Sequence, residues 1–277
     1  MKLGEWLRDA EARLGIGGIA SAHLESQLMA CHVLRVDRSW LLAHPEHEFN
    51  ELAGEQVLQR RLMGEPLAYI LGWREFFGRT FGVDRSVLIP RHETETLIEA
   101  ALGLAPPDVR SVLDLGTGSG VLAVTLKLER PSWDVTAVDV SAEALTTASA
   151  NARFLGAQVR FKLSDGFDGL LGESYDMIVS NPPYVGASEG LPVEVALHEP
   201  ELALYSGPTG MEFYDRLAAQ AQDHLEDGGL LLLEVGHTQS ESVRELFKTH
   251  AWEHLETRRD LGGIERVLAF RHSFERY

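Results

Sequence analysis

The chain has 277 residues, 44% of them hydrophobic, enough for one large or two modest domains with a sizeable core. A net charge of −17 argues against a free nucleic-acid binder, whose binding face is basic. The single cysteine, Cys31, excludes an intramolecular disulfide and a cysteine-rich zinc site. The N-terminus carries Lys2, Glu5, Arg8 and Asp9 too early for a secretion signal, and the most apolar run, Leu230 to Leu233, is too short to span a bilayer. A soluble cytoplasmic protein with no membrane partner is expected.

Residues 1–72 read as a small helical bundle. Leu3, Leu7, Ala10 and Leu14 keep one face of a first helix, which Gly15 to Gly18 ends. Ser21 is placed to cap a second helix carrying Leu24, Leu28, Cys31 and Leu34, and a third runs from about Phe49 to Met63. Residues 73–90 change character. Trp73, Phe76, Phe77, Phe81 and Val83 are β-formers interrupted by Gly78 and Gly82, which predicts a hairpin linking two domains.

Residues 91–277 form the second domain of this division. A helix follows Pro90 and runs to about Leu104. From Arg110 strands alternate with helices, the strands at about 111–115, 134–139, 158–163, 175–180, 229–235, 252–257 and 265–271. That rhythm predicts an α/β fold with a doubly wound, mostly parallel seven-stranded sheet.

The first of these strands runs into Gly116-Thr117-Gly118-Ser119-Gly120, and a helix follows. Glycine permits positive φ and close approach of a ligand to the backbone. Asp139 ends the next strand, 19 residues beyond Gly120, near the spacing of a carboxylate that accepts from a ribose hydroxyl pair; capping the helix after Ser141 is its other reading. The spacing is Gly-x-Gly-x-Gly with no Gly-Lys-Ser/Thr, which disfavours a dinucleotide and a P-loop nucleotide. Asp114-x-Gly-x-Gly-x-Gly resembles the first motif of class I S-adenosylmethionine-dependent methyltransferases. After the third strand, Phe167 offers an adenine-stacking face and Asp165 an acceptor; a core phenylalanine and a turn aspartate are the plainer readings.

The fourth strand ends at Ser180-Asn181-Pro182-Pro183-Tyr184. The prolines stiffen the loop and leave carbonyls free. Asn181 adds a planar amide and Tyr184 an aromatic face, a set able to grip one planar NH₂ group. A strand-ending turn uses the same residue types.

Taken together, the motifs resemble the release-factor glutamine methyltransferases, the HemK/PrmC family, over nearly the full length. The resemblance rests on the helical N-terminal region, Leu88-Ile89-Pro90-Arg91-His92-Glu93-Thr94-Glu95, the glycine loop, Asn181 to Tyr184, His198-Glu199-Pro200, and Asp260-Leu261-Gly262-Gly263-Ile264-Glu265-Arg266-Val267. It implies methyl transfer from S-adenosylmethionine to the side-chain amide of the glutamine in the Gly-Gly-Gln loop of peptide-chain release factors. It places cofactor contacts on Gly116, Thr117, Gly118, Ser119, Gly120, Asp139, Phe167 and Asn181. Substrate contacts fall on Asn181, Pro182, Pro183 and Tyr184. Asn181, Pro182 and Tyr184 are the catalytic set. The implied role of residues 1–72 is recognition of the protein substrate. One departure stands at Ser206-Gly207-Pro208-Thr209-Gly210-Met211, where the family often shows Gly-Gly-x-Asp-Gly-Leu.

An amide nitrogen is a poor nucleophile, so catalysis by positioning is expected: Asn181 Oδ1 and the Pro182 carbonyl accept the two amide hydrogens while Tyr184 packs on the amide plane. Arg91 and Glu199 are further candidates for the pocket wall. The eleven histidines show no ligand spacing, and His44-Pro45-Glu46-His47 reads as a turn, so no metal is expected. The alternative activity is amino methylation of a nucleic-acid adenine through the same Asn-Pro-Pro-Tyr site. It needs a flipped base and a basic surface, which the charge does not favour.

Overall fold

The computed structural model describes residues 1–272. Contacts divide the chain into two compact units: Met1–Trp73 together with Pro192–His198, and Arg74–Leu191 with the chain from Glu199 onward.

In the first unit, helices α1 (Leu3–Ile16), α2 (Ala22–Leu34), α3 (Arg38–Ala43), α4 (Glu51–Leu62) and α5 (Leu67–Leu71) close around Leu3, Trp6, Ala10, Leu14, Met29, Leu41 and Leu58. The short helices α3 and α5 are absent from the sequence reading, because five or six residues carry too little periodicity to see. Asp37 caps α3 by accepting from the Trp40 N–H at 2.7 Å. Ser21 makes no cap: its hydroxyl donates to Glu25 instead. A linear division at residue 72 does not anticipate that Pro192–His198 joins this unit. Buried Arg61 supplies a physical reason, since it pairs with Glu25 at 2.6 Å and reaches Glu194 at 3.2 Å.

The second unit opens with the hairpin β1 (Trp73–Phe76) and β2 (Arg79–Gly82). Phe77 and Gly78 turn it with φ of 50° and 68°, the left-handed geometry that matches strand twist. The hairpin is more than a connector, because Phe76 and Phe81 are buried in this unit's own core. After a single 3₁₀ turn at His92–Thr94 come α6 (Glu95–Leu104), β3 (Ser111–Leu115), α7 (Val121–Glu129), β4 (Asp134–Asp139), α8 (Ala142–Leu155), β5 (Val159–Leu163) and β6 (Tyr175–Ser180). A short pair, β7 (Val185–Gly186) with β8 (Tyr205–Gly207), brackets in sequence α9 (Val193–His198), which belongs to the first unit, and α10 (Glu201–Leu204). Then follow α11 (Glu212–Gln220), β9 (Leu225–Glu234), α12 (Ser240–Thr249), β10 (Trp252–Arg259) and β11 (Glu265–His272).

The seven-stranded sheet runs β10-β11-β9-β6-β3-β4-β5, parallel except where β11 pairs with β9 and β10. Residues alternate between two cores, as period-2 side chains must in a sheet covered on both faces. Val112, Met177, Val179, Leu230 and Leu232 face one core; Leu113, Leu115, Ile178, Leu231 and Leu233 face the other. The chain winds outward from β3 through β4 and β5, then returns to place β6 on the other side of β3. The carboxyl ends of β3 and β6 are therefore the switch point of the sheet, where a crevice opens.

Candidate functional site

The crevice is a cleft of about 160 Å³ within the second unit. Gly116, Thr117, Gly118 and Ser119 line it from β3, Asp139 from β4, Ser164, Asp165 and Gly166 after β5, and Asn181 and Pro183 after β6. Val87, Leu88, Pro90, Arg91 and Thr94 complete one wall.

The glycine loop is held rigidly. Gly116, Gly118 and Gly120 have φ of 77°, 54° and 83°. A Cβ at Gly116 or Gly118 meets nothing within 4 Å, so those faces are open to a ligand. At Gly120 a Cβ would fall 3.0 Å from that of Ala148, so this glycine serves packing and does not line the cleft. The N–H groups of Gly116 and Thr117 bond the Val138 carbonyl at 2.9 Å, and that of Gly120 bonds Thr117. The Gly118 N–H bonds Asp139 Oδ2 at 2.8 Å. Donors spent inside the protein are the reverse of a phosphate cradle, whose N–H groups point at the anion. The Thr117 hydroxyl turns back to Asp114 Oδ2 at 2.6 Å, which also accepts from the Ala123 N–H. Complete burial pushes the Asp114 carboxyl up to about 7.

Asp139 accepts from Gly118 on one oxygen and from the Ser141 N–H on the other at 2.9 Å, and burial raises its pKa. The carboxylate is thus fixed at the cleft wall with further lone pairs to offer.

Phe167 lies behind the lining of the cleft. Its ring is buried, stacked on His224 with centroids 4.7 Å apart, and belongs to the core rather than the cleft. Ser164 makes this possible: its hydroxyl donates to the Gly166 carbonyl and accepts from Gly169, folding the turn so that 164–166 form the wall. Asp165 lines the cleft, but its carboxylate is already held by Arg216 at 2.5 Å.

Asn181 lies beside the glycine loop, and its Nδ2 donates to the Thr94 hydroxyl at 3.2 Å. Pro183 shares the lining, whereas Pro182 is buried and Tyr184 packs partly against the core; neither lines this cleft. The Tyr184 carbonyl accepts from Gln239 at 2.9 Å, and burial pushes its phenol up to about 12. Arg91 lines the cleft. Glu199 lies beneath it, almost fully buried, accepting from the Ile89 N–H at 3.1 Å and from Arg91 at 2.5 Å, so it anchors the wall without facing the cleft. Thr209 donates through its N–H and hydroxyl to Glu212 at the start of α11.

Sequence reasoning missed Thr94 and Glu234. Glu234 ends the apolar strand β9, as Asp139 ends β4 and Asn181 follows β6, and that signal was available. Burial pushes its carboxyl up to about 7 against the opposing pull of Thr94, Arg266 and Asn181. Among the described residues no group of three or more His, Cys, Asp or Glu side chains is placed to hold a metal ion. No helix among them is long and apolar enough to cross a membrane.

Two family models match: the PrmC N-terminal domain over residues 5–72 and the Methyltransferase small domain over 94–197. The release factor glutamine methyltransferase of Koribacter versatilis is 44% identical across 98% of this chain and 99% of that protein. The chain belongs to the release factor glutamine methyltransferase family. Its Bordetella pertussis relative of the same name is 44% identical across 88% of this chain and 93% of that protein. A solved methyltransferase from Pyrococcus furiosus has a TM-score of 0.56 at 20% identity, covering 79% of this chain and all of that one, which supports the class I fold. Like the rest of its family, this chain is a methyltransferase.

Proposed function

We propose that this methyltransferase carries the methyl group of S-adenosylmethionine to the side-chain amide nitrogen of the glutamine in the Gly-Gly-Gln loop of peptide-chain release factors. The observation that carries the reading is the convergence of the open glycine loop, the Asp139 carboxylate and Asn181 on one cleft. The glycine faces without obstruction at Gly116 and Gly118 fit the amino-acid portion of the cofactor. Asp139 fits its ribose diol, and Ser164 to Gly166 with Val140 fit its adenine. When bound, S-adenosylmethionine supplies an electrophilic methyl on a sulfonium. The chain's part is positioning. Asn181 Oδ1, at the cleft, accepts one hydrogen of the substrate amide and aims its nitrogen; the Pro182 carbonyl and Tyr184 lie behind the cleft lining, and their parts as second acceptor and support of the amide plane require the seated substrate to reach past that lining. The name of the relatives supports the release-factor substrate and does not favour the adenine alternative. Residues 1–72, which carry the PrmC N-terminal domain match, act in recognising that protein, and the enzyme works in the cytoplasm beside it. The test is methyl-labelled S-adenosylmethionine with a release factor. Label should reach the factor and be absent when its loop glutamine is replaced by alanine; label on both, or on neither, refutes the substrate.

A further inference from the structure

Asn151 on α8 is buried, 4% exposed, and both polar atoms of its side chain are engaged. Its Oδ1 accepts from the Gly82 N–H at 2.7 Å. Its Nδ2 donates to the Gly82 carbonyl at 2.9 Å and to the Ser119 carbonyl at 2.8 Å. One N–H and two carbonyls match the one oxygen and two N–H bonds of a carboxamide, which fixes which end is which. A reversed amide would set NH₂ against N–H and oxygen against two carbonyls.

The two ends of this bridge lead to two walls of the cleft. On one side, the peptide joining Ser119 to Gly120 is held at both ends. Its carbonyl accepts from Asn151, and its N–H donates to the Thr117 carbonyl at 2.8 Å. That fixes the left-handed turn at Gly120 and, with it, the course of 116–119 along the cleft. On the other side, Gly82 ends β2, and the chain leaving it lines the cleft at Ser86, Val87 and Leu88. Asn151 is not itself part of the lining. On the same helix Ala148 packs on Gly120, and Thr147 donates to Asp84 at 3.3 Å, so α8 meets both segments a second time.

We propose that Asn151 is a positioning residue that holds the glycine loop and the segment 82–88 at the spacing S-adenosylmethionine needs. This rests on the cofactor part of the reading above. Buried N–H and carbonyl groups that lose a partner must find another, so cutting the bridge lets each wall relax independently.

In hydrogen exchange on the ligand-free protein, Asn151→Ala should speed exchange about tenfold at the Gly120 N–H, whose own partner is Thr117. The ladder that pairs Leu231 with Phe270 should keep its wild-type protection. A side chain that only supports the fold would leave Gly120 unchanged or loosen both regions alike, and either result overturns the proposal. By calorimetry S-adenosylmethionine should bind about tenfold more weakly to Asn151→Ala and to the similarly sized Asn151→Leu. KM for the cofactor should rise by the same factor, with the single-turnover rate at saturation within about twofold of wild type. Wild-type affinity in both variants overturns the proposal. A further measurement needs no change at Asn151. The chain contains only three asparagines, Asn50, Asn151 and Asn181, so selective ¹⁵N-asparagine labelling gives three side-chain NH₂ pairs, two of them assigned by Asn50→Ala and Asn181→Ala. In wild type the Asn151 pair should exchange more slowly with water once S-adenosylhomocysteine seats against the loop, and a pair unmoved by saturating ligand overturns the proposal. If wild type binds neither ligand, the cofactor reading fails, and the ligand-free exchange comparison still decides whether Asn151 holds the loop.

Discussion

Replacing Asp139 by alanine separates ligand binding from fold. The carboxylate accepts from Gly118 at 2.8 Å and Ser141 at 2.9 Å, and in the proposed complex it also accepts from both ribose hydroxyls. Hydrogen bonds to a charged group contribute about 1.5–3 kcal/mol each. Water replaces part of that at a cleft wall, so a loss equal to one such bond is the expectation. At about 1.4 kcal/mol per factor of ten, S-adenosylmethionine and its demethylated product should bind about 10- to 150-fold more weakly by calorimetry. The ligand-free protein should hardly notice. Burial raises the folded pKa of Asp139, so its charge opposes folding once pH rises through the ordinary carboxyl range, and removing it forfeits no charge stabilisation. Two N–H groups at a solvated wall lose a partner, worth about 1 kcal/mol in total and about 2–4 °C in Tm. Affinity within twofold of wild type, at an unchanged Tm, would remove Asp139 from the site.

Asn181→Ala should cost about 10²–10³ in single-turnover rate, the scale for one positioned hydrogen-bonding group. Asn181→Asp keeps an acceptor oxygen of nearly the same shape and should retain more rate than alanine; a variant as slow as alanine with cofactor still bound would show that the neutral amide, whose Nδ2 donates to Thr94, is itself required. A chain beginning at Arg74 should keep cofactor affinity by calorimetry and lose turnover on intact release factor; equal turnover would give residues 1–72 another task. Gly54→Ala should destabilise the first unit by about 1–3 kcal/mol in a denaturant titration followed by Trp6 fluorescence, since the new Cβ would fall 2.4 Å from the Phe49 ring and 2.6 Å from Trp6 Nε1. Cofactor affinity should not change, and a stabilised variant would show that the Trp6–Phe49 contact yields easily.

Whatever depends on neighbours along the chain was readable from the residues. Short apolar, β-rich runs at 111–115, 134–139 and 175–180 are strands as expected, because a strand buried on both faces declares itself by local composition. The glycine loop and Asp139 were legible for the same reason: a tight turn after one strand and an acid at the end of the next need only counting. Phe167 was ambiguous because an aromatic ring beside a turn suits a core and a pocket equally, and its stacking on His224, 57 positions away, is set by the fold. The strand order that brings β6 against β3 depends on crossovers, so only the folded chain sets Asn181 beside the glycine loop. The same holds for Thr94, Glu234 and Arg266. They lie far apart in sequence, and the burial that removes water from Thr94 and Glu234 is set by the fold alone.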